Sequence, residues 1–186
     1  GRARRNVEIY QGREISYITE NTCQNMGAIE KKMLIVPTST RSIEQYNRIS
    51  LPTGNISHAL VCNGGILLEN GTRNPSWYQA SLELIQESLP ALESARHFLE
   101  KDVRRTFELR FIEELFLFTK CDRPESVVRQ LREIPDCGTV NIFHNKEKVY
   151  VVPVNLSKGK AVERFRAYIG ADQVIAAGDS AFDISM

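Results

Sequence analysis

Apolar and polar residues alternate near the start of the chain, where NVEIYQGREISYI forms two runs around Gln11 and Gly12. Period-two alternation across a glycine-containing turn predicts a β-hairpin. The next segment, TENTCQNMGAIEKK, predicts a helix that Thr19 or Asn21 caps, with lysines in its last turn. The chain is therefore expected to open with a hairpin followed by a helix.

Two apolar runs follow, each bounded by polar residues or glycines. MLIVPTSTR has the length and flanks typical of a buried strand, and SIEQYNRI after it predicts a short helix. HALVCNGG predicts a second buried strand that ends at a double-glycine turn. ILLENGTR then predicts a hairpin-like continuation that turns at ENG.

The pattern changes between residues 70 and 154. PSWYQASLELIQESLPALESARHFLEKDV has helical periodicity that is interrupted at Pro90. RTFELRFIEELFLFTKCD predicts two strands, RPESVVRQLREI an amphipathic helix opening on Pro124, and GTVNIFHNKEKVYVVPV a hairpin. Two strands, a helix and two further strands make a compact α+β unit.

The last segment, LSKGKAVERFRAYIGADQVIAAGDSAFDISM, returns to a helix followed by a buried strand. This is the pattern of the first part of the chain. We therefore predict an α/β core with a parallel sheet, formed by residues 1–69 and 155–186, and an inserted α+β unit formed by residues 70–154.

Composition narrows the classes of function. The 186 residues are 42% apolar and 25% charged, as in an ordinary globular protein, and the net charge of +1 gives no argument for nucleic-acid or membrane partners. No apolar stretch is long enough to span a bilayer, and these residues contain no apolar run typical of a secretory h-region. The four cysteines are scattered without a CxxC pair, which favours a cytoplasmic protein with reduced thiols.

Small polar and charged residues follow each predicted buried strand. In open α/β sheets, ligands bind beyond the carboxyl ends of the strands, so these residues are candidates for a site. Ser157 can also cap a helix whose first turn carries a lysine, and a helix N-terminus with a lysine suits a phosphate. The candidates are Thr38, Ser39, Thr40, Asn63, Lys158, Asp179 and Asp183.

Together these residues indicate phosphoryl chemistry. A hydroxyl and a lysine can hold phosphoryl oxygens, while Asp179 and Asp183 suit Mg²⁺, which binds few carboxylates together with waters and phosphate oxygens. Each residue alone has an ordinary structural alternative. The aspartates could be a helix cap and a surface acid, Ser39 a strand end, Lys158 a solvated lysine, and Asn63 part of a turn.

The order of these segments resembles the haloacid dehalogenase superfamily of phosphohydrolases, in the branch with an α/β cap between its second and third motifs. LIVPTSTR is similar to the second motif, with the hydroxyl placed at Ser39 and Thr40 or Thr38 as alternatives. VCNGG resembles the strand that leads into the cap. LSKGKAV resembles the third motif, with Lys158, and GDSAFDISM resembles the fourth, with Asp179 and Asp183 on the magnesium side.

Two departures from the family pattern stand out. The family opens with a strand ending in Asp-x-Asp-x-Thr/Val, which carries the nucleophile and the general acid/base, and nothing before LIVPTSTR matches it. The resemblance implies that this strand precedes Gly1 and that the family fold continues past Met186. Within the fourth motif, Phe182 stands where many Cof-type sugar-phosphate phosphatases have Asn, so the match to that branch is weaker.

The resemblance implies an α/β fold, with a Rossmann-like core containing a parallel sheet plus an inserted α+β cap domain. It implies a Mg²⁺-dependent phosphatase that acts on a small phosphorylated metabolite, expected to be a sugar phosphate, through an aspartyl-phosphate. Without the nucleophile strand, the 186-residue chain alone would be inactive. Two rivals remain, namely a phosphosugar mutase of the same fold and a non-catalytic phosphate-binding or regulatory module. The implied phosphate ligands are Ser39, Thr40, Asn63 and Lys158, and the implied metal ligands are Asp179 and Asp183.

Overall fold

The computed structural model describes residues 3–54 and 56–186. The predicted hairpin is confirmed as strands β1 (Arg4–Tyr10) and β2 (Arg13–Thr19), which pair antiparallel. Both turn residues, Gln11 and Gly12, have positive φ, at 51° and 74°, as a two-residue turn between twisted strands requires.

Helix α1 (Glu20–Ile29) follows, and the hydroxyl of Thr19 caps it by accepting the backbone N–H of Thr22 at 3.1 Å. The cap prediction is therefore confirmed at Thr19. The predicted lysines lie beyond the helix, because α1 ends before Glu30 and its last turn carries no basic residue. Chain geometry thus ends the helix about one turn earlier than the polar pattern indicates.

The prediction of a buried strand at the apolar run MLIVPTSTR is wrong. The run pairs through one isolated parallel bridge, between Thr38 and Leu60, and Met33 and Leu34 remain 47% and 46% exposed. The carbonyl of Pro37 accepts the backbone N–H of Leu60, but proline has no amide hydrogen with which to extend a ladder. Helix α2 (Ile43–Tyr46) then follows as predicted, starting at a capping box in which Ser42 and Gln45 bond each other's backbone.

The second apolar run forms the predicted buried strand. β3 (His58–Val61), β4 (Ile66–Glu69) and β5 (Thr72–Arg73) make an antiparallel sheet in that order. A single 3-10 turn, Cys62–Gly64, joins the first two strands, and its three residues all have positive φ. The turn reverses the chain between two antiparallel strands.

The segment between β5 and β6 is helical and broken near Pro90, as predicted. Helix α3 (Pro75–Leu84) is followed by a 3-10 turn (Gln86–Ser88) and by α4 (Leu89–Lys101), with the proline in the first turn of α4 where no N–H is needed.

An antiparallel four-stranded sheet follows, in the order β6 (Arg110–Ile112), β7 (Phe116–Lys120), β9 (Lys148–Pro153) and β8 (Val140–Asn145). Helix α5 (Pro124–Leu131) connects β7 to β8. One face of the sheet packs on α4 and α5, and the opposite face carries aromatic side chains at paired positions. These aromatic residues are Phe118, Phe143 and Tyr150.

Helix α6 (Lys158–Ile169) covers β3 and β4, with Ala161 and Phe165 against Leu60 and Leu67. The buried strand predicted after it is absent, since residues 171–178 contain no strand and Ile175 is 80% exposed. No other described segment pairs with these residues, so their backbone lacks the ladder that a buried strand requires. A 3-10 turn (Ala181–Asp183) follows.

The predicted α/β class is confirmed as a mixed fold of helices and sheets. Within residues 3–54 and 56–186, parallel pairing is confined to the bridge between Thr38 and Leu60. In the same residues, no helix has both the length and the apolar character needed to cross a membrane.

Candidate functional site

Lys158 is the first residue of α6 and is only 8% exposed. The helix starts here because Ser157 caps it, accepting the backbone N–H of Lys160 at 3.2 Å. The ammonium group of Lys158 donates to Oδ1 of Asp183 at 2.5 Å. A lysine is rarely buried to this degree without a partner, so this ion pair explains why the side chain can be held at the helix start.

Asp183 is the residue that gathers the end of the chain around Lys158. Its Oδ2 accepts the backbone N–H groups of Asp179 and Ser180, at 3.1 and 3.0 Å, and the Ser180 hydroxyl at 2.9 Å. Burial raises the pKa of this carboxyl, but hydrogen bonds from Lys158 and Ser180 outweigh it and lower the pKa to about 2. Asp183 is therefore ionised at neutral pH, and both of its oxygens are engaged.

Asp179 differs from Asp183, because its side chain is exposed and only its backbone N–H is bonded within the site. Within the described part of the chain, its carboxylate makes no ion pair. Gly178 before it is required by space, since a Cβ there would lie 2.2 Å from Cβ of Asp183. The sequence GDSAFD thus folds into a tight loop that fixes one carboxylate and presents the other.

The fit to a metal ion can be tested on these two carboxylates. No cluster of three or more His, Cys, Asp or Glu side chains able to hold a metal occurs within residues 3–54 and 56–186. Mg²⁺ needs only one or two carboxylates when waters and phosphate oxygens complete its shell. The free carboxylate of Asp179 fits such a site, whereas Asp183 would have to release hydrogen bonds from Ser180 to serve as a second ligand.

A cavity of about 690 Å³ brings the predicted third and fourth motifs together with the end of the second. We call it the core cavity. Its apolar lining comes from two segments outside the strands and helices, 33–38 and 173–177, and from one side of α6. Its polar lining includes Thr38, Lys158, Asp179 and Asp183.

The other predicted phosphate ligands lie outside the core cavity. The Ser39 amide donates to the Leu60 carbonyl at 2.8 Å, and its hydroxyl accepts the Arg41 N–H at 3.2 Å. Neither Ser39 nor Thr40 lines the core cavity, whereas Thr38, the alternative hydroxyl, does. The structure therefore places Thr38, but neither Ser39 nor Thr40, in the cavity that the predicted third and fourth motifs line.

Asn63 is buried in the turn after β3, with φ of 59°, and its side-chain amide donates to the Leu156 carbonyl at 2.6 Å. It lines a second cavity of about 470 Å³, together with Lys158, and we call this the cap cavity. Lys158 lines both cavities and so lies between them.

Residues within the predicted inserted unit, 70–154, also line the cap cavity, and sequence reasoning missed them. Arg132 follows α5, and Asn141 and Phe143 lie on β8. An arginine at the end of an amphipathic helix has the pattern of a solvated residue. The sequence signal for Asn141 and Phe143 is the alternation of β8. It places them on the face of the sheet opposite to the one that packs on α5.

Comparison with known proteins agrees with this arrangement at the level of the fold. No family model matches the sequence, and no curated protein sequence matches it. Among solved structures, the sucrose-phosphatase from Synechocystis sp. in complex with sucrose and phosphate aligns with a TM-score of 0.65 and 15% identity. That alignment covers 89% of this chain and 70% of the sucrose-phosphatase.

Two further structures are similar. A trehalose-6-phosphate phosphatase related protein has a TM-score of 0.52 and 19% identity, over 96% of this chain and 75% of that one. A haloacid dehalogenase-like hydrolase from Bacteroides thetaiotaomicron has a TM-score of 0.55 and 17% identity, over 97% and 80% of the two chains. The predicted resemblance is thus confirmed at the level of the fold, which the chain shares with these phosphatase and hydrolase structures.

Proposed function

We propose that this fold carries out the Mg²⁺-dependent hydrolysis of a small phosphomonoester, with a sugar phosphate as the expected substrate class. The observation that carries the proposal is the buried Lys158 at the start of α6, which pairs with Asp183 and lines the core cavity together with Asp179. A fixed cation, a helix N-terminus and an open carboxylate are the parts that a phosphoryl group with a bound cation requires. The sucrose-phosphatase and the trehalose-6-phosphate phosphatase related protein support the choice of a sugar phosphate.

Lys158 is proposed to bind the phosphoryl oxygens, together with a hydroxyl from the second motif. Ser39 and Thr40 remain the predicted donors, and Thr38 is the alternative favoured by its place in the core cavity. Asn63, beside Lys158 in the cap cavity, is proposed to hold the ligand on the other side. Donors fixed before the reaction stabilise the charge that spreads over the phosphoryl oxygens in the transition state.

Asp179 is proposed as the metal ligand, with Asp183 as the second predicted ligand. When bound, Mg²⁺ would supply positive charge that neutralises the phosphoryl oxygens. While Asp183 accepts the hydrogen bonds from Ser180, Asp183 is proposed to hold the Asp179 loop and Lys158 in place.

The nucleophile is proposed to be an aspartate on a strand that precedes Gly1, as the family resemblance implies. The core cavity supports this, because the two segments that border it carry apolar side chains and its only acidic lining residues in the described chain are Asp179 and Asp183. The aspartate carboxylate would attack phosphorus while the ester P–O bond breaks, and a second acid would protonate the departing alkoxide. Water would then cleave the acyl phosphate, releasing inorganic phosphate and restoring the carboxylate.

The inserted unit is proposed to act as a cap. Under this proposal, residues 70–154 cover a core made of residues 1–69 and 155–186. The cap cavity, which has walls from both parts, is the space in which the departing group of the substrate would lie. Such a cover excludes water and selects the substrate.

The test is phosphate release from a panel of phosphomonoesters by the full-length protein, including the residues before Gly1. Wild type is expected to release phosphate with Mg²⁺ and to stop with EDTA. Lys158→Ala is expected to lower kcat/KM at least about 100-fold. Lys160→Ala is the matched control, because the side chain of this exposed lysine on the same helix donates to Asn155 and lines neither cavity.

A second pair of variants tests the metal assignment. Asp179→Asn is expected to raise the Mg²⁺ concentration for half-maximal activity about tenfold or more, whereas Asp172→Asn, an exposed acid on the same segment, is expected to leave it unchanged. Full activity in Lys158→Ala would exclude the assigned phosphate ligand. Interconversion of two sugar phosphates without phosphate release would identify the mutase instead, and binding without turnover would identify a regulatory module.

A further inference from the structure

The cap cavity has an unusual charge distribution. Lys158 and Arg132 are the charged side chains that line it, and no aspartate or glutamate of the described chain does. Its volume of about 470 Å³ lies within the range of small-molecule sites. Since Asp183 already pairs with Lys158 at 2.5 Å, the uncompensated positive charge of the cavity belongs to Arg132.

Arg132 is held so that part of its guanidinium stays available. Its Nη2 donates to the Ile142 carbonyl on β8 at 2.9 Å, which fixes the group beside the sheet. Within residues 3–54 and 56–186, no carboxylate lies within 4.0 Å of the guanidinium nitrogens. A guanidinium with free donors binds carboxylates and phosphates through two parallel hydrogen bonds.

An aromatic wall lies in the same cavity as the two cations. Phe143 and Phe182 meet edge to face, with ring centroids 4.9 Å apart, and Phe143 stacks on Tyr150 at 5.3 Å. Phe182 belongs to the loop that carries Asp179 and Asp183, so the wall joins the predicted catalytic loop to the inserted unit. Apolar surface beside fixed polar groups is suited to the carbon skeleton of a small ligand. The amide of Asn141 adds a donor and an acceptor to the lining.

We propose that Arg132 determines specificity by binding a second anionic group, a carboxylate or a further phosphate, on the departing part of the substrate. This inference rests on the proposed function, with the reacting phosphoryl group at Lys158. A ligand with an anion at each end and carbon atoms between them matches a cavity with a cation from each part of the chain and an aromatic wall. A neutral polyol would leave Arg132 without a counter-charge in the complex.

The experiment uses the full-length, Mg²⁺-loaded protein and three compounds built on three carbons. Glycerol phosphate has no second anion, phosphoglycerate has a carboxylate, and glycerol bisphosphate has a second phosphate. Wild type is expected to have a lower KM for phosphoglycerate, for glycerol bisphosphate, or for both, than for glycerol phosphate. Arg132→Gln is expected to raise that KM about tenfold or more with little change in kcat, since it removes one charge-assisted pair. Its KM for glycerol phosphate should change less than about twofold.

The controls separate the two proposals. Arg129→Gln removes an exposed arginine of α5 that does not line the cap cavity, and it is expected to leave every KM unchanged. Arg132→Lys keeps the charge without the fork and should recover only part of the affinity. Whichever compound responds identifies the anion as carboxylate or phosphate.

An equal effect of Arg132→Gln on all three compounds, or no preference of wild type for a second anion, overturns the inference while leaving the phosphatase standing. If no compound is hydrolysed, calorimetric Kd values for the same compounds decide instead. A selective loss of phosphoglycerate or bisphosphate binding in Arg132→Gln then supports the anion site, and only the hydrolytic function fails.

Discussion

The four-stranded sheet and the segments that border the core cavity carry similar apolar residues but bury them differently. Val149 and Val151 on β9 are fully buried, whereas Val174 and Ile175 are 48% and 80% exposed. β9 has hydrogen-bonded neighbours on both sides, while residues 173–178 pair with no strand in the described chain. Apolar side chains of a strand are buried when neighbouring strands and a covering layer are both present. The four-stranded sheet therefore stabilises the fold, whereas the segments 33–38 and 173–177 border the core cavity without closing it.

The candidate site spans these two kinds of structure. Lys158 stands on α6, which is packed against β3 and β4 through Ala161 and Phe165. Asp179 stands at the end of the exposed segment, and only the Asp183 loop ties it to the helix. The cation is therefore held by the packed region, whereas the metal-ligand candidate depends on a short hydrogen-bonded turn.

The largest expected difference between the two regions is in stability. Leu117→Ala in β7 empties a fully buried position and is expected to lower the free energy of unfolding of the 186-residue chain by about 2–5 kcal/mol. Ile175→Ala in the exposed segment should change it by less than about 0.5 kcal/mol. Urea unfolding followed by fluorescence of the single tryptophan, Trp77, measures both. Equal losses would show that residues 173–178 are packed in solution.

A smaller loss is expected where the Asp183 loop meets the segment. Gly178→Ala places a Cβ 2.2 Å from Cβ of Asp183, and displacement of the loop should cost about 1–3 kcal/mol. Gly138→Ala is the matched control, because its Cβ would meet no atom within 4 Å. If thermal unfolding gives the two variants the same midpoint, the loop is not closed in the way described.

The smallest expected effect is on how the free energy of unfolding depends on pH in acid. The pKa of Asp183 is about 2 in the folded protein, below its ordinary value of about 3.9, so its ionised form stabilises the fold. This contribution is complete above about pH 4 and is lost as pH falls toward 2. Reduced for solvent screening, it is about 1 kcal/mol.

Asp183→Asn should remove this part of the acid dependence, measured as the free energy of unfolding between pH 5 and about pH 2. Asp172→Asn, an exposed acid without an ion pair in the described chain, should keep the wild-type slope. An unchanged slope in Asp183→Asn would contradict the ion pair with Lys158.

Elements set by local chemistry could be predicted from the sequence. The turn at Gln11 and Gly12, the break at Pro90 and the cap at Ser157 each depend on a few adjacent residues, and the structure has all three. The proposed strands at 33–41 and 173–177 fail because an apolar run predicts a buried face but supplies no partner strand.

Contacts between residues that are far apart in the sequence could not be predicted. Glu8 lies in an alternating hairpin that indicates a surface position, yet it is 1% exposed, bonded to Ser16 at 2.6 Å and to Arg41 at 2.8 Å. Burial opposes its ionisation, but these hydrogen bonds lower its pKa. Ser16 lies opposite Glu8 in the predicted hairpin, but Arg41 is 33 residues away, so no local pattern contains that pairing.

The candidate site likewise contains residues that the sequence could identify and one that it could not. Two local patterns, polar residues after an apolar run and a lysine at a helix start, identify Lys158, Asp179 and Asp183 as candidates. All three line the core cavity, although no strand precedes Asp179 in the described chain. Their catalytic and metal roles remain predictions, as do those of Ser39 and Thr40. Arg132 could not be identified because its position in the cap cavity depends on how α5 ends against β8.

The most direct test of the account is an intact-mass measurement of the full-length protein quenched in acid during turnover with Mg²⁺ and a phosphomonoester. We expect one added phosphoryl group, located by peptide mapping on an aspartate before Gly1 and removed by hydroxylamine, as is typical of an acyl phosphate. An active protein with no phosphorylated species would contradict it, as would a phosphoryl group on a residue between Gly1 and Met186.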